Sequence, residues 1–172
     1  MKVLQVTAPR LAEYVDLPKP EATGDLAVIK VKTCGICATD LAILSGEASF
    51  MHDGSTHYPV RFGHEWCGVV ESVGENVKNF KPGDHVISDC AVTCGVCDAC
   101  ISGDTSACKK RQSVGTINTW PGSFAEYVCF PERHLHKIPD YIPFEAASMI
   151  EPGAIGAAGV MHLDLQTNSE VL

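Results

Sequence analysis

The feature that most constrains this chain is a set of closely spaced cysteines in the pattern C-x2-C-x2-C-x7-C, formed by Cys94, Cys97, Cys100 and Cys108. Four thiolates at such spacing typically form a tetrahedral zinc cage, and four sulfurs leave no position for water or a substrate. The alternative interpretation is a group of buried or redox-active thiols. Glycines in the intervening turns favour zinc, so the pattern predicts a structural ion and directs the search for chemistry elsewhere. Cys90 lies near enough to replace one ligand, although its position in an expected strand favours a buried thiol.

The composition argues against several classes of function. The 172 residues suffice for one domain with a core, and 13 basic against 21 acidic residues give a net charge of −8. This charge repels nucleic acid and anionic membranes, and the densest basic run is only Lys109-Lys110-Arg111. No apolar stretch approaches the length of a membrane span, and the first residues lack a signal-peptide core. With nine cysteines, an odd count, we expect a reducing, cytoplasmic compartment.

Short strands separated by glycine and proline turns dominate the first two-thirds of the sequence. Alternating or β-branched segments predict strands at 26–33, 67–73, 85–89 and 124–130. Thr39-Asp40 predicts the start of a helix that Gly46 stops, and residues 144–161 predict helix with a break or a new first turn at Pro152. Val171-Leu172 has the character of a new strand. The pattern predicts a mainly β, barrel-like fold with short helices.

A second group of metal-binding residue types is dispersed along the chain. Cys37 lies in the segment CGICATD, His64 and Glu65 lie in GHEWCG, and Glu151 lies in IEP. Taken singly, each segment is weak evidence, because a lone histidine is usually structural and Cys34 with Cys37 could form a redox pair.

Together these segments resemble a known family. The run Gly63, His64, Glu65, Gly68, Gly74 and Val77, preceded by CGICATD and followed by GDHV, is similar to that of the zinc-dependent medium-chain dehydrogenases. The four-cysteine lobe occurs at the same place in that family, and the IEP segment resembles its sorbitol and threonine dehydrogenase branch. The resemblance implies a mainly β, GroES-like, partly open barrel.

The resemblance also implies site roles. Cys37, His64 and Glu151 would hold a catalytic zinc and leave its fourth position open. Thr39 would take the proton of the alcohol, or serve only as a helix cap. Asp40 would accept a hydrogen bond from His64, or only favour the helix start by its charge. Glu65 would be an alternative zinc ligand or a structural acceptor.

One departure from the family pattern accompanies these roles. Ala42 stands where simple alcohol dehydrogenases carry a proton-relaying histidine. Cys34 and Cys67 match positions that are usually not ligands, so we expect them to be buried thiols.

The sequence lacks the glycine-rich turn that cradles a nicotinamide dinucleotide. Gly153, Gly156 and Gly159 stand in an apolar run that better suits helix packing. By the resemblance, residues 1–163 are the catalytic domain, with a zinc lobe at 90–111, and 164–172 begin the connection to a missing Rossmann domain. We therefore expect the isolated chain to bind two zinc ions without retaining NAD(H) or turning over.

The function implied is NAD(P)-dependent oxidation of a secondary alcohol of a polyol or sugar to a ketone. A threonine-type or other secondary-alcohol dehydrogenase of the same family is the near alternative, and a non-catalytic zinc scaffold is the distant one. The family also implies a small alcohol as substrate and a homodimer or homotetramer. Neither substrate identity nor the choice between NAD and NADP can be derived from this sequence.

Overall fold

The computed structural model of the chain describes residues 1–163. The expected segment at 164–172, with the strand at Val171-Leu172, lies outside the described residues. Within them there are nine strands and four α-helices. In chain order these are β1 Lys2–Ala8, β2 Leu11–Asp16, β3 Leu26–Cys34, α1 Ala38–Ser45, β4 Trp66–Val73, β5 His85–Ser88, β6 Ala91–Val92, α2 Asp98–Ile101, β7 Gln112–Ser113, β8 Tyr127–Pro131, β9 Leu135–Lys137, α3 Phe144–Ala147 and α4 Ile150–Met161.

The centre of the fold is an antiparallel five-stranded sheet with the strand order β8-β3-β4-β5-β9. Two further sheets have two strands each, β1 with β2 and β6 with β7. None of the three sheets in residues 1–163 closes into a barrel. The expected mainly β fold with short helices and an incompletely closed β architecture is thereby confirmed.

The predicted strands correspond to β3, β4, β5 and β8, with β8 beginning three residues later than expected. The hairpin of β1 and β2 was not predicted, nor were the short β6, β7 and β9. Most of β2 is exposed, so its apolar pattern is weak. Strands of two or three residues are too short to show a period.

A large apolar cluster packs on the central sheet. Trp66 and Phe130 lie at its centre, with ring centroids 5.2 Å apart, and both are almost fully buried. The alternation expected for 26–33 places Ala27 and Ile29 in this cluster. These contacts fix the start of β4, and its first residue, Trp66, directly follows His64 and Glu65 in the chain.

A second apolar cluster joins α1 to the β1–β2 hairpin. Ile43 of α1 packs with Val6 of β1, and Val60 and Phe62 complete the group. The helix ends where predicted, because Gly46 adopts the left-handed conformation and its N–H bonds back to the carbonyls of Ala42 and Ile43. This packing fixes the start of α1, where Cys37 and Asp40 lie.

The predicted helical region at 144–161 divides into α3 and α4. Pro152 lies in the first turn of α4, where its missing N–H costs no helical hydrogen bond. No helix among the described residues is long and apolar enough to cross a membrane.

The packing predicts a large effect of truncation at Phe130. We expect Phe130→Ala to lower the free energy of unfolding by about 3–5 kcal/mol, because the side chain is fully buried and leaves a cavity. Tyr141→Ala is the matched control, since Tyr141 is 85% exposed and should change stability by less than about 0.5 kcal/mol. Urea unfolding in zinc-saturated buffer measures the free energy of unfolding of both variants. Equal losses of this free energy would contradict the description of the core.

Candidate functional site

The four predicted cysteines of the zinc lobe converge. Cys97 and Cys100 have sulfurs 3.5 Å apart, Cys94 and Cys108 have theirs 3.7 Å apart, and Cys94 and Cys100 have theirs 3.9 Å apart. A tetrahedral zinc with Zn–S bonds of about 2.3 Å separates its sulfurs by about 3.8 Å. The donor set therefore fits a closed zinc site. Cys90 is not part of this group.

The backbone around Cys94 favours a thiolate. Hydrogen bonds from the backbone N–H groups of Val96 and Cys97 lower the pKa of the Cys94 thiol to about 6. Such donors to sulfur are what a zinc-bound cysteine requires, because the thiolate and not the thiol is the ligand. The lobe thus has the spacing of a metal site, and the surroundings of Cys94 favour the thiolate. Hydrogen bonds from the Cys97 thiol to the neighbouring cysteines raise the pKa of Cys97 to about 11, so the thiols share protons.

A buried histidine anchors the base of the lobe, and sequence reasoning missed it. The backbone N–H of Thr93 donates to His134 Nε2 at 3.0 Å, and His134 Nδ1 lies 2.9 Å from Asp89 Oδ2. Since Nε2 accepts, the ring proton is on Nδ1 and is donated to Asp89. Arg133 adds a 2.6 Å hydrogen bond to the carbonyl of Thr93. Thr93 directly precedes Cys94, so these contacts fix the lobe on the sheet.

A second group of candidate ligands consists of Cys37, His64 and Glu65, whose ligand atoms all lie within 4.8 Å of one another. Cys37 is the N-cap residue of α1, and His64 and Glu65 directly precede β4. His64 and Glu65 are buried. One sulfur, one nitrogen and one oxygen donor form a set that suits zinc.

Asp40 ties the two halves of this group together. Its Oδ2 accepts a hydrogen bond of 2.9 Å from the Cys37 N–H, and its Oδ1 accepts one of 3.2 Å from the Gly63 N–H. Burial raises the pKa of the Asp40 carboxyl, and these two hydrogen bonds and the nearby His64 act in the opposite direction. Asp40 Oδ1 lies 3.8 Å from His64 Nδ1, which is longer than a hydrogen bond. His64 Nδ1 is buried and has no hydrogen-bond partner among the described residues.

Two glycines allow the group to assemble. Gly63 has φ of +92°, and a Cβ there would lie 2.8 Å from the ring of Phe124. At Gly35, a Cβ would collide with the carboxylate of Glu65. A larger residue in place of Gly35 would displace the candidate ligand Glu65. In place of Gly63, which directly precedes His64, it would strain the backbone and collide with Phe124.

Glu151 lies outside the three-residue group, but it lines a cavity that His64 also lines. It is in the first turn of α4, and its Oε1 accepts a hydrogen bond of 2.8 Å from the Cys90 thiol. Burial raises the pKa of Cys90, which keeps the thiol protonated and able to donate. A cavity of about 290 Å³ is lined by Glu151, Cys90, Thr39 and His64. The structure thus gives two candidate carboxylates, with Glu65 in the group and Glu151 on the cavity wall.

Thr39 lies beside the candidate ligand Cys37 and lines the cavity. Its Oγ1 is 3.7 Å from the sulfur of Cys37, and its side chain lines the same wall as His64. The Thr39 hydroxyl makes no cap hydrogen bond, because Cys37 is the N-cap residue of α1. Thr39 is therefore placed to contact a molecule in the cavity.

Cys67 is a buried thiol and Cys34 is half-buried, and neither belongs to a candidate metal group. Burial raises the pKa of Cys34 to about 12 and that of Cys67 to about 11. Each sulfur has a hydrogen-bond partner at 3.0 Å, the hydroxyl of Ser123 for Cys34 and the carbonyl of Phe144 for Cys67.

Comparison with known proteins establishes the family. Residues 23–140 match the alcohol dehydrogenase GroES-like domain. The chain belongs to this family, and the resemblance to zinc-dependent medium-chain dehydrogenases is confirmed.

Three relatives illustrate the similarity. The chain is 39% identical to D-arabitol-phosphate dehydrogenase of Enterococcus avium over 140 residues, which cover 81% of the chain and 38% of that protein. It is 37% identical to L-threonine 3-dehydrogenase of Anaeromyxobacter sp. (strain K), with coverages of 87% and 42%. The crystal structure of galactitol-1-phosphate dehydrogenase from Escherichia coli superposes with a TM-score of 0.80 at 28% identity, covering 91% of the chain and 43% of that structure. The chain thus spans about two-fifths of the length of these relatives.

The lobe geometry predicts the effect of removing one sulfur. We expect Cys97→Ser to lose one zinc ion per chain and to destabilise the lobe, because metal binding contributes directly to its folding. Native mass spectrometry counts the ions. Cys129→Ser is the matched control, since Cys129 belongs to neither candidate metal group. Unchanged zinc content in Cys97→Ser would contradict the assignment.

The thiol environments predict a pattern of alkylation. At pH 7.5, below the raised pKa values of Cys34 and Cys67, both thiols are protonated and should resist iodoacetamide in the folded chain. After zinc is chelated, the same pH lies above the lowered pKa of Cys94, which is about 6, so this thiol is mostly ionised. We therefore expect Cys94 to be alkylated before Cys34 and Cys67. Peptide mapping by mass spectrometry measures the order. Labelling of Cys34 as fast as that of Cys94 would contradict it.

Proposed function

We propose that this chain is the zinc-binding catalytic part of an NAD(P)-dependent dehydrogenase that oxidises a secondary alcohol of a polyol or sugar to a ketone. The observation that carries the proposal is the group of Cys37, His64 and Glu65, which adjoins a cavity that His64 lines together with Thr39 and Glu151. A sulfur, a nitrogen and carboxylate oxygens next to a hydroxyl group form a metal site with space for a small molecule.

In this proposal, Cys37, His64 and Glu151 hold the catalytic zinc, and Glu65 is the alternative carboxylate ligand. Zinc in such a site acts as a Lewis acid on the alcohol oxygen and makes hydride loss feasible near neutral pH. Asp40 positions the ligands, because its two hydrogen bonds fix the backbone at Cys37 and at Gly63. Four cysteines hold the second, structural ion.

Thr39 is the residue proposed to hold the proton of the alcohol. Its hydroxyl lies on the cavity wall beside Cys37, where it can accept a hydrogen bond from a substrate hydroxyl. Ala42 has no group that could pass the proton onward. The route to solvent beyond Thr39 therefore requires water, a hydroxyl of the cofactor or another side chain.

The hydride acceptor is proposed to be NAD(P), bound by a Rossmann domain that these residues do not form. Relatives whose names specify D-arabitol phosphate and L-threonine support a polyol, sugar or hydroxy-acid substrate. A threonine-type activity is the second candidate, because the identity to the L-threonine 3-dehydrogenase is nearly as high as that to the polyol-phosphate enzyme.

A zinc-binding scaffold without catalysis is the competing class of function. It accounts for the four-cysteine lobe, but it gives no reason for Cys37, His64, Glu65 and Thr39 to meet beside a cavity. The two classes differ in zinc stoichiometry and in whether the second ion has an exchangeable ligand.

The test uses cobalt as a spectroscopic substitute for zinc. We expect two ions per chain, and we expect sorbitol or L-threonine to change the visible bands of one cobalt ion, because three protein ligands leave an exchangeable position. Cys37→Ser should lose that response and one ion, while Cys97→Ser should lose the other ion. One ion per wild-type chain, or two ions insensitive to every alcohol, would support the scaffold instead.

A further inference from the structure

The basic run Lys109-Lys110-Arg111 divides when the chain folds. Lys109 lies against the cysteine lobe, and Lys110 and Gln112 line a cavity beside Trp120. Arg111 and Ser113 instead line the cavity that contains Thr39 and His64. Successive side chains along a strand point to opposite faces, so Gln112 and Ser113 of β7 line different cavities. Lys110 and Arg111, directly before the strand, continue this alternation. One cation of the run therefore reaches the candidate active site.

The wall around Arg111 carries hydrogen-bond donors without protein partners. Within residues 1–163, the guanidinium of Arg111 forms no ion pair, and the side chains of Arg111, Ser113 and Thr116 form no hydrogen bond, although all three line the cavity. Arg133 shows the contrast, since its guanidinium is occupied by Asp25 at 2.6 Å and by the carbonyl of Thr93 at 2.6 Å. The donors of Arg111 are thus available to a ligand.

We propose that Arg111, with the hydroxyls of Ser113 and Thr116, binds an anionic group of the alcohol substrate, either a phosphate or a carboxylate. This rests on the proposed function, and it names the class of substrate. An arginine fork and two hydroxyls match the oxygens of either group, and arginine binds both bidentately. Arg111, Thr39 and His64 line one cavity of about 290 Å³, so one small molecule spans from the anion to the reacting alcohol.

The charge of the chain strengthens this assignment. With a net charge of −8, the protein repels anions in general, so anion binding requires a local cation. Glu151 lines the same cavity, but its carboxylate is hydrogen bonded to Cys90 and forms no ion pair with Arg111 among the described residues. Arg111 is exposed and lines the cavity, and it therefore provides a positive charge there that no ion pair within residues 1–163 compensates.

The test compares matched ligands on the zinc-loaded chain by NMR titration. Sorbitol 6-phosphate and sorbitol form the phosphate pair, and L-threonine and L-threoninamide form the carboxylate pair. We expect an anionic member to bind at least about tenfold more tightly than its neutral partner, as charge-assisted hydrogen bonds imply. The Arg111 side-chain N–H signal should shift with that anion. The pair whose anionic member binds more tightly identifies the anionic group as a phosphate or a carboxylate.

Variants separate Arg111 from a general charge effect. Arg111→Gln should weaken binding of the preferred anion about tenfold or more and leave the neutral partner within about twofold. Lys109→Gln removes the same charge from the same run, and it should change neither. The count of bound zinc should stay the same in both variants, because neither residue belongs to a metal group.

Several results would overturn the proposal. If Arg111→Gln and Lys109→Gln lose the same affinity for the anion, the effect comes from the net charge of the protein and not from Arg111. If Arg111→Gln loses the same affinity for anionic and neutral ligands, Arg111 has a structural role. Inorganic phosphate binding as tightly as sorbitol 6-phosphate, or NADH shifting Arg111 more than either substrate, would show that the anion belongs to another molecule. If only the anion preference is wrong, all the alcohols still shift the His64 signals. If the proposed function is wrong, none of them does, and the proposal falls with it.

Discussion

The buried carboxylate of Asp40 is the contact on which the candidate active site depends. It joins the N-terminus of α1 to the turn before β4, since one oxygen accepts the Cys37 N–H and the other accepts the Gly63 N–H. Cys37 and His64 are far apart in sequence, and the packing of Ile43 against Val6 fixes the helix that carries Asp40. An almost fully buried carboxylate is costly unless it is hydrogen bonded, so these partners also stabilise the fold.

The two candidate metal groups differ in the way the chain supports them. The four cysteines lie in one short segment, which Thr93, His134 and Asp89 attach to the sheet. The second group combines residues from α1 and the entry to β4, with Glu151 from α4 facing the same cavity. A closed cage can be built locally, whereas an open site with access to a cavity requires several elements to meet.

The parts of this arrangement that sequence reasoning predicted are those with a local pattern. The spacing of the four cysteines was enough to predict the lobe, and the alternation at 26–33 was enough to predict β3. The hydrogen bond between Cys90 and Glu151 joins residues 61 positions apart, and no periodicity indicates such a pair. The same is true of His134 beneath the lobe and of Arg111 at the cavity, because both depend on how distant segments pack.

The family resemblance predicted the candidate ligands, and the side-chain geometry shows how they are arranged. Glu65, for which two roles were open, lies with Cys37 and His64, while Glu151 is hydrogen bonded to Cys90. The assignment of Cys37, His64 and Glu151 as ligands remains a prediction, with two carboxylates available for one position.

Anomalous diffraction at the zinc edge from crystals of the zinc-loaded chain tests the central claim most directly. The account predicts two peaks, one enclosed by the four cysteine sulfurs and one coordinated by Cys37, His64 and a single carboxylate, with its remaining position open to the cavity. A single peak at the cysteine lobe, or a second ion that contacts neither Cys37 nor His64, would contradict it.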